Sequence, residues 1–386
     1  MIAPIMYNEA IYYCWLKPQG VKTVIRVFPR IVACFLLAWT ACSSPSHKTG
    51  DYRIAVTPSA RGQYGIFVMN ADTTGGTLLT PDPGAQLEST SWSPDGQKIV
   101  FFSARSQDSD ILSKYPMPYH YPLYEISASG GTQKRLLDFP VSSFAWSPDS
   151  AELLFVSAYE DPEHADEAVI KGTKAPLSAI YILNLRTGKQ RRLTAFGQSC
   201  SGSWSPDGKQ LALSFGTSQS SDIYVVSLDG KHMSRITNSK SIYTRPAWSP
   251  DGKQIVYLAA SSPETQDTAT GVFITDSAGA NKKQISETAA YNVSWSPDGK
   301  RILLQTGSGL VLMDIEENKS MDPAPGIGRP LDALFTPDGR EIIFRSNHEG
   351  EWRLYATGLN GTGLRKITGK LSASSFCLSP LQSKHP

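Results

Sequence analysis

The chain has 386 residues, with 37 lysines and arginines against 35 aspartates and glutamates, for a formal net charge of +2. That balance leaves no large basic field and argues against nucleic acid as a partner. Its five cysteines show no spacing that matches a zinc pattern.

Residues 1–41 have the order of a targeting segment rather than of a folded unit. Lys22, Arg26 and Arg30 are basic, and the apolar run from Ile31 to Trp39 is too short to span a bilayer. Ala41-Cys42-Ser43-Ser44 follows. The stretch resembles a bacterial lipoprotein signal, in which the cysteine after a small residue is lipidated and becomes the mature N-terminus. The resemblance implies a signal over 1–41, lipidation at Cys42, a polar tether over 42–51 and a membrane contact through the N-terminal lipid. It also implies the periplasm, with Ser43 favouring the outer membrane. Ile31-Val32-Ala33-Cys34 matches the local pattern too but has no apolar run before it, and a plain secretory signal cut nearby is a further reading.

From residue 52 the chain is organised by one repeated turn. Ser91-Trp92-Ser93-Pro94-Asp95-Gly96 returns as Ala145-Trp146-Ser147-Pro148-Asp149-Ser150, and again over 203–208, 247–252 and 294–299. Leu334-Phe335-Thr336-Pro337-Asp338-Gly339 is an altered copy, and Cys377-Leu378-Ser379-Pro380 a truncated one. Serine suits the first position of a type I turn, proline fixes φ at the second, and glycine at the fourth takes φ > 0 without a Cβ clash. Ser150 stands where the other turns of this set have glycine, and is read as a strained position. The aromatic or apolar anchor ends the incoming strand, where an indole fills space between neighbouring units.

After each turn comes a continuous apolar run, such as 99–102, 153–156 and 211–215, which predicts strands buried on both faces. A third strand, a glycine-bearing turn and a short fourth strand follow. Four antiparallel strands in each unit of about 40–50 residues predict a propeller blade. Residues 52–80 supply second, third and fourth strands, and residues 374–380 supply a first. The expectation is an all-β, seven-bladed β-propeller of four-stranded antiparallel blades over 52–380, closed by strands from both termini. Cys200 and Cys377 lie at different registers of non-adjacent repeats, which argues against a disulfide between them.

At these turns the chain resembles the TolB-type propeller repeats (WD40-like) of bacterial envelope proteins. Similar repeats occur in the propellers of prolyl-oligopeptidase relatives and of oligogalacturonate lyases. In TolB itself an α/β domain precedes a six-bladed propeller, whereas only about ten residues separate Cys42 from the first strand expected here. The resemblance implies a non-catalytic, monomeric lipoprotein that binds an envelope protein or peptide. A glycan-binding or glycan-cleaving protein is the alternative. A peptidase needs a Gly-x-Ser-x-Gly elbow, which the sequence lacks. A lyase of the oligogalacturonate kind needs metal-ligating histidines in the ring. His120, His164, His232 and His348 fall outside the first strands, so no catalytic residue, cofactor or metal is assigned.

Two connections are longer than the rest. Residues 104–122 carry Tyr115, Tyr119, His120 and Tyr121, and residues 157–179 carry Tyr159 and an acidic run from Glu160 to Glu167. Both follow the second strand of adjacent units, so both are expected on one face of the ring. Insertions of this size in a compact domain are uncommon unless they serve function. The four tyrosines and His120 are the candidate binding residues.

Overall fold

The computed structural model describes residues 51–58, 65–80, 86–104, 108, 121–157, 178–194, 198–216, 220–238, 241–260, 270–328 and 330–381. The strands run in chain order. The first group is β1 (Arg53–Thr57), β2 (Phe67–Asn70) and β3 (Thr77–Leu78). Next come β4 (Gln86–Trp92), β5 (Lys98–Ala104), β6 (Leu123–Ser127) and β7 (Lys134–Arg135). The third group is β8 (Ser143–Trp146), β9 (Glu152–Ser157), β10 (Ala179–Asn184) and β11 (Gln190–Arg192). Then follow β12 (Gln198–Trp204), β13 (Gln210–Gly216), β14 (Ser221–Ser227) and β15 (Met233–Arg235). After them stand β16 (Ile242–Trp248), β17 (Gln254–Ala260), β18 (Gly271–Asp276) and β19 (Lys283–Ser286). The last full groups are β20 (Ala290–Trp295), β21 (Arg301–Thr306), β22 (Leu310–Asp314) and β23 (Lys319–Met321), and β24 (Leu331–Phe335), β25 (Glu341–Ser346), β26 (Arg353–Gly358) and β27 (Arg365–Lys366). The final strand is β28 (Ser375–Leu378).

The expected count of seven separate blades is corrected. Hydrogen bonding gives five four-stranded blades, and β12 to β19 form a single eight-stranded sheet. The join is a parallel bridge between β14 and β16 at Ser221 and Ile242. Ser221 and Ser241 are buried, and the Ser221 amide donates to the Ser241 carbonyl at 3.3 Å. The hydroxyls of Ser214 and Ser221 both donate to the Tyr243 carbonyl at 2.8 Å. Side chains this small let two strand edges approach, which counting repeats does not register.

Each repeated turn is locked in one way. The Ser93 hydroxyl donates to Asp95 Oδ1 at 2.5 Å and accepts from the Lys98 amide at 2.9 Å. Asp95 Oδ1 also accepts from the Gln97 amide at 2.9 Å. The same pattern joins Ser205 to Asp207, Ser249 to Asp251, Ser296 to Asp298 and Thr336 to Asp338. Neighbouring turns then touch. A Cβ added at Gly96 would stand 3.3 Å from Pro380, so the truncated last copy still meets the first.

The core lies between blades. Leu153, Phe155 and Tyr181 pack with Val100, Phe102 and Leu123 of the preceding blade. The strands in second position are buried along most of their length, as in β9, β21 and β25. Indoles tie neighbouring first strands together: Trp146 Nε1 donates to the Ser91 carbonyl at 3.4 Å, Trp204 to Ala145 at 3.3 Å and Trp295 to Ala247 at 3.0 Å. Closure follows the expected route. β28 pairs antiparallel with β1, with Ile54 opposite Leu378 and Val56 opposite Phe376.

Candidate functional site

Strand direction sorts the connections. The repeated turns and the turns into the fourth strands share one face of the ring. The connections from second to third strands, and from each unit to the next, share the other. Both long connections therefore leave on the face opposite the locked turns.

Of the predicted binding residues, Tyr115, Tyr119, His120 and Tyr159 lie outside the described residues, as does Cys42. Tyr121 is described, and it is half-buried rather than projecting. Its amide donates to the Val141 carbonyl at 3.1 Å and its carbonyl accepts from Val141 at 3.0 Å. Its ring sits 6.1 Å from Phe102, against the core shared by two blades. At the other root of the same connection, Asp108 is fully buried. It accepts from the Tyr124 hydroxyl at 2.6 Å and faces Arg135 at 3.6 Å. Tyr121 and Asp108 thus hold the connection to the second blade.

The sequence reading missed a polar ring on the first strands. Three residues before each anchor stand Ser89, Ser143, Ser201, Arg245, Asn292, Asp332 and Ser375. The signal was present as one polar side chain per copy. The residue type changes from copy to copy, so a search for like residues passes over it. Ser89, Arg245 and Asp332 have φ of +47°, +54° and +50°, and each lies within a register shift of its strand. Bulges re-aim side chains in this way. The Arg245 amide donates to the Ser201 hydroxyl at 3.1 Å, linking adjacent members. Asp332 accepts from Arg345 Nε at 2.5 Å, and the buried Arg345 also donates to the Ala373 carbonyl at 3.2 Å. Its guanidinium stands 5.0 Å from the Trp352 ring.

At the turn end lies a cavity of about 390 Å³, walled by Trp92, Trp295, Phe335, Leu378, Pro250, Pro337 and Pro380, with Ser91, Ser294 and Cys377. Burial pushes the Cys377 thiol up to about 12, so no thiolate nucleophile is offered there. The hydroxyl of the serine two residues earlier holds the carboxyls of Asp149, Asp207, Asp251 and Asp298 below the usual carboxylate range, helped by a backbone amide. These aspartates are fixed anions of the scaffold, not proton carriers near neutral pH. His348 is exposed in the turn after β25, with its ring 4.6 Å from Tyr355. Among the described residues no group of three His, Cys, Asp or Glu side chains is arranged to hold a metal ion.

The TolB beta propeller domain model matches residues 139–320. Over 173 residues the chain is 24% identical to "Uncharacterized peptidase YuxL" of Bacillus subtilis (strain 168), across 39% of this chain. Over 124 residues it is 34% identical to "Tol-Pal system protein TolB" of Francisella tularensis subsp. mediasiatica, across 30% of this chain. Each match spans 25% of the relative's own length. Among solved structures, "Oligogalacturonate lyase in complex with manganese" superposes with a TM-score of 0.58 at 15% identity, covering 77% of this chain and 83% of that one. At that identity the likeness shows the fold alone.

Proposed function

We propose, for a chain that belongs to the TolB-type β-propeller family, that it is a non-catalytic cell-envelope lipoprotein whose ring binds a protein or peptide. The observation that carries this reading is where the carboxylates of the described residues are spent. Asp108 serves Tyr124 and Arg135, and Asp222 serves Arg235 and Thr237. The aspartates of the repeated turns serve their own serines and amides. Groups committed in this way support a rigid platform better than general acid–base chemistry, which needs a carboxyl free to exchange a proton.

The binding face in this reading carries the two long connections. Their tyrosines give contact area at low entropic cost. The test replaces residues 109–120 with a short Gly-Ser link, keeping Asp108 and Tyr121 because both are packed. Melting should change by only a few degrees, while an envelope protein captured by the parent chain should be lost. Unchanged capture with the partner identified would move the binding site away from this connection.

The Tol-Pal name of one relative supports a periplasmic place. We further propose that the chain is a monomer anchored in the outer membrane through lipid on Cys42. Two or three acyl groups hold firmly where one is marginal. Mass spectrometry of the membrane-extracted protein should find a modified Cys42 at the N-terminus. Any other mature N-terminus rejects the anchor.

A further inference from the structure

The outer edge of the blade formed by β8 to β11 carries a run of positive charge. No aspartate or glutamate occurs from residue 168 to residue 206. Within that span Arg186, Lys189, Arg191 and Arg192 are all exposed, on β11 and the turn before it. Elsewhere the outer-strand cations are mostly neutralised locally. Arg135 pairs with Asp138 at 2.8 Å, Arg235 with Asp222 at 2.6 Å, and Arg365 with Glu341. Among the described residues, Arg186, Lys189 and Arg191 have no such carboxylate. Lys283 on β19 is unpaired too, but it does not sit in a run of this length.

β11 is also the open edge of its sheet. The Asn184 amide donates to the Lys189 carbonyl at 2.9 Å, and the Leu193 amide to the Ile180 carbonyl at 2.8 Å. Antiparallel pairing alternates, so Gln190, opposite Leu183, turns its amide and carbonyl away from the sheet. An edge with outward backbone groups accepts an added strand. Like charge on such an edge repels a second copy of the same strand, which leaves a segment of opposite charge as the fitting occupant.

We propose that this edge docks an extended acidic segment of a partner protein, which pairs its backbone with Gln190 and sets carboxylates against Arg186, Lys189 and Arg191. The residues of this surface lie outside both long connections in the sequence.

The test is fluorescence anisotropy with the full chain and a labelled decapeptide of alternating glutamate and valine at low salt. Saturable binding is expected, weakening as salt rises. Joint replacement Arg186→Gln, Lys189→Gln and Arg191→Gln should weaken it about tenfold or more. Gln190→Pro keeps every charge and removes only the outward amide, a change edge strands tolerate. It should weaken binding about fivefold, on the order of one lost hydrogen bond. Replacing Lys209, Lys253 and Lys300 by glutamine should leave binding unchanged, as should the 109–120 replacement. The proposal is overturned if the peptide does not saturate, or if the triple variant binds within about twofold of the parent. It is also overturned if Gln190→Pro has no effect, since charge alone is then at work. Tighter binding of a galacturonate oligomer or of anionic vesicles would assign the edge to a glycan or a lipid surface instead.

Discussion

Ser150 shows how one side chain can answer its own strain. It stands in the left-handed region with φ of +61°, where the equivalent turns have Gly96, Gly208 and Gly252. That backbone costs a residue with a Cβ about 1 kcal/mol. Its hydroxyl, however, accepts from the Asp95 amide of the neighbouring turn at 3.0 Å. One such bond contributes about 1 kcal/mol, so the two effects nearly offset. Ser150→Gly should therefore leave the urea midpoint almost where it is, rather than raise it as strain alone would predict. Ser150→Ala keeps the strain and loses the bond, and should destabilise by about 1 kcal/mol. A clear gain in stability for Ser150→Gly would mean the hydroxyl contributes nothing.

Among the elements, β28 carries the most consequence per residue. Its four residues complete a sheet whose other strands lie some 300 positions earlier. Thr57 Oγ1 meets the Ser375 hydroxyl at 2.6 Å and the Ser374 hydroxyl at 2.8 Å. The Arg53 amide donates to Ser379 Oγ at 2.8 Å. Phe376 packs with Ile54, Val56 and Ile343, joining this blade to the one before it. Removing residues 374–386 opens the edge of β1 and uncovers the otherwise inaccessible Ile54 and Val56. An unpaired apolar edge is a template for association. The truncated chain should aggregate or lose its single unfolding transition in calorimetry. A monomeric variant with one sharp transition would show that the ring does not need this strand. The closure was legible in the sequence because the last turn keeps Ser379 and Pro380 from the repeated motif. The junction of β14 with β16 was not, because it depends on how closely Ser221 and Ser241 approach in space. The packing of Tyr121 was not legible for a similar reason. Aromatic content in a long connection says nothing of Val141, the distant residue that fixes its backbone.

At the scale of the whole molecule, the two faces of the ring are built unalike. One is paved with locked turns that rest on one another through glycine and proline, or at Ser150 through its hydroxyl. The other receives the long connections, and the polar ring on the first strands lies between. The described chain begins on the paved face. Arg53 opens β1 there, with its guanidinium 4.7 Å from the Trp92 ring and donating to the Gly96 carbonyl at 3.3 Å. The nine residues from Ser43 to Asp51 reach roughly 30 Å when fully extended. A lipid on Cys42, as proposed, would therefore tether the ring from its paved side, within that reach of the bilayer. The long connections would then leave on the side away from the bilayer, where a partner is not crowded by the membrane.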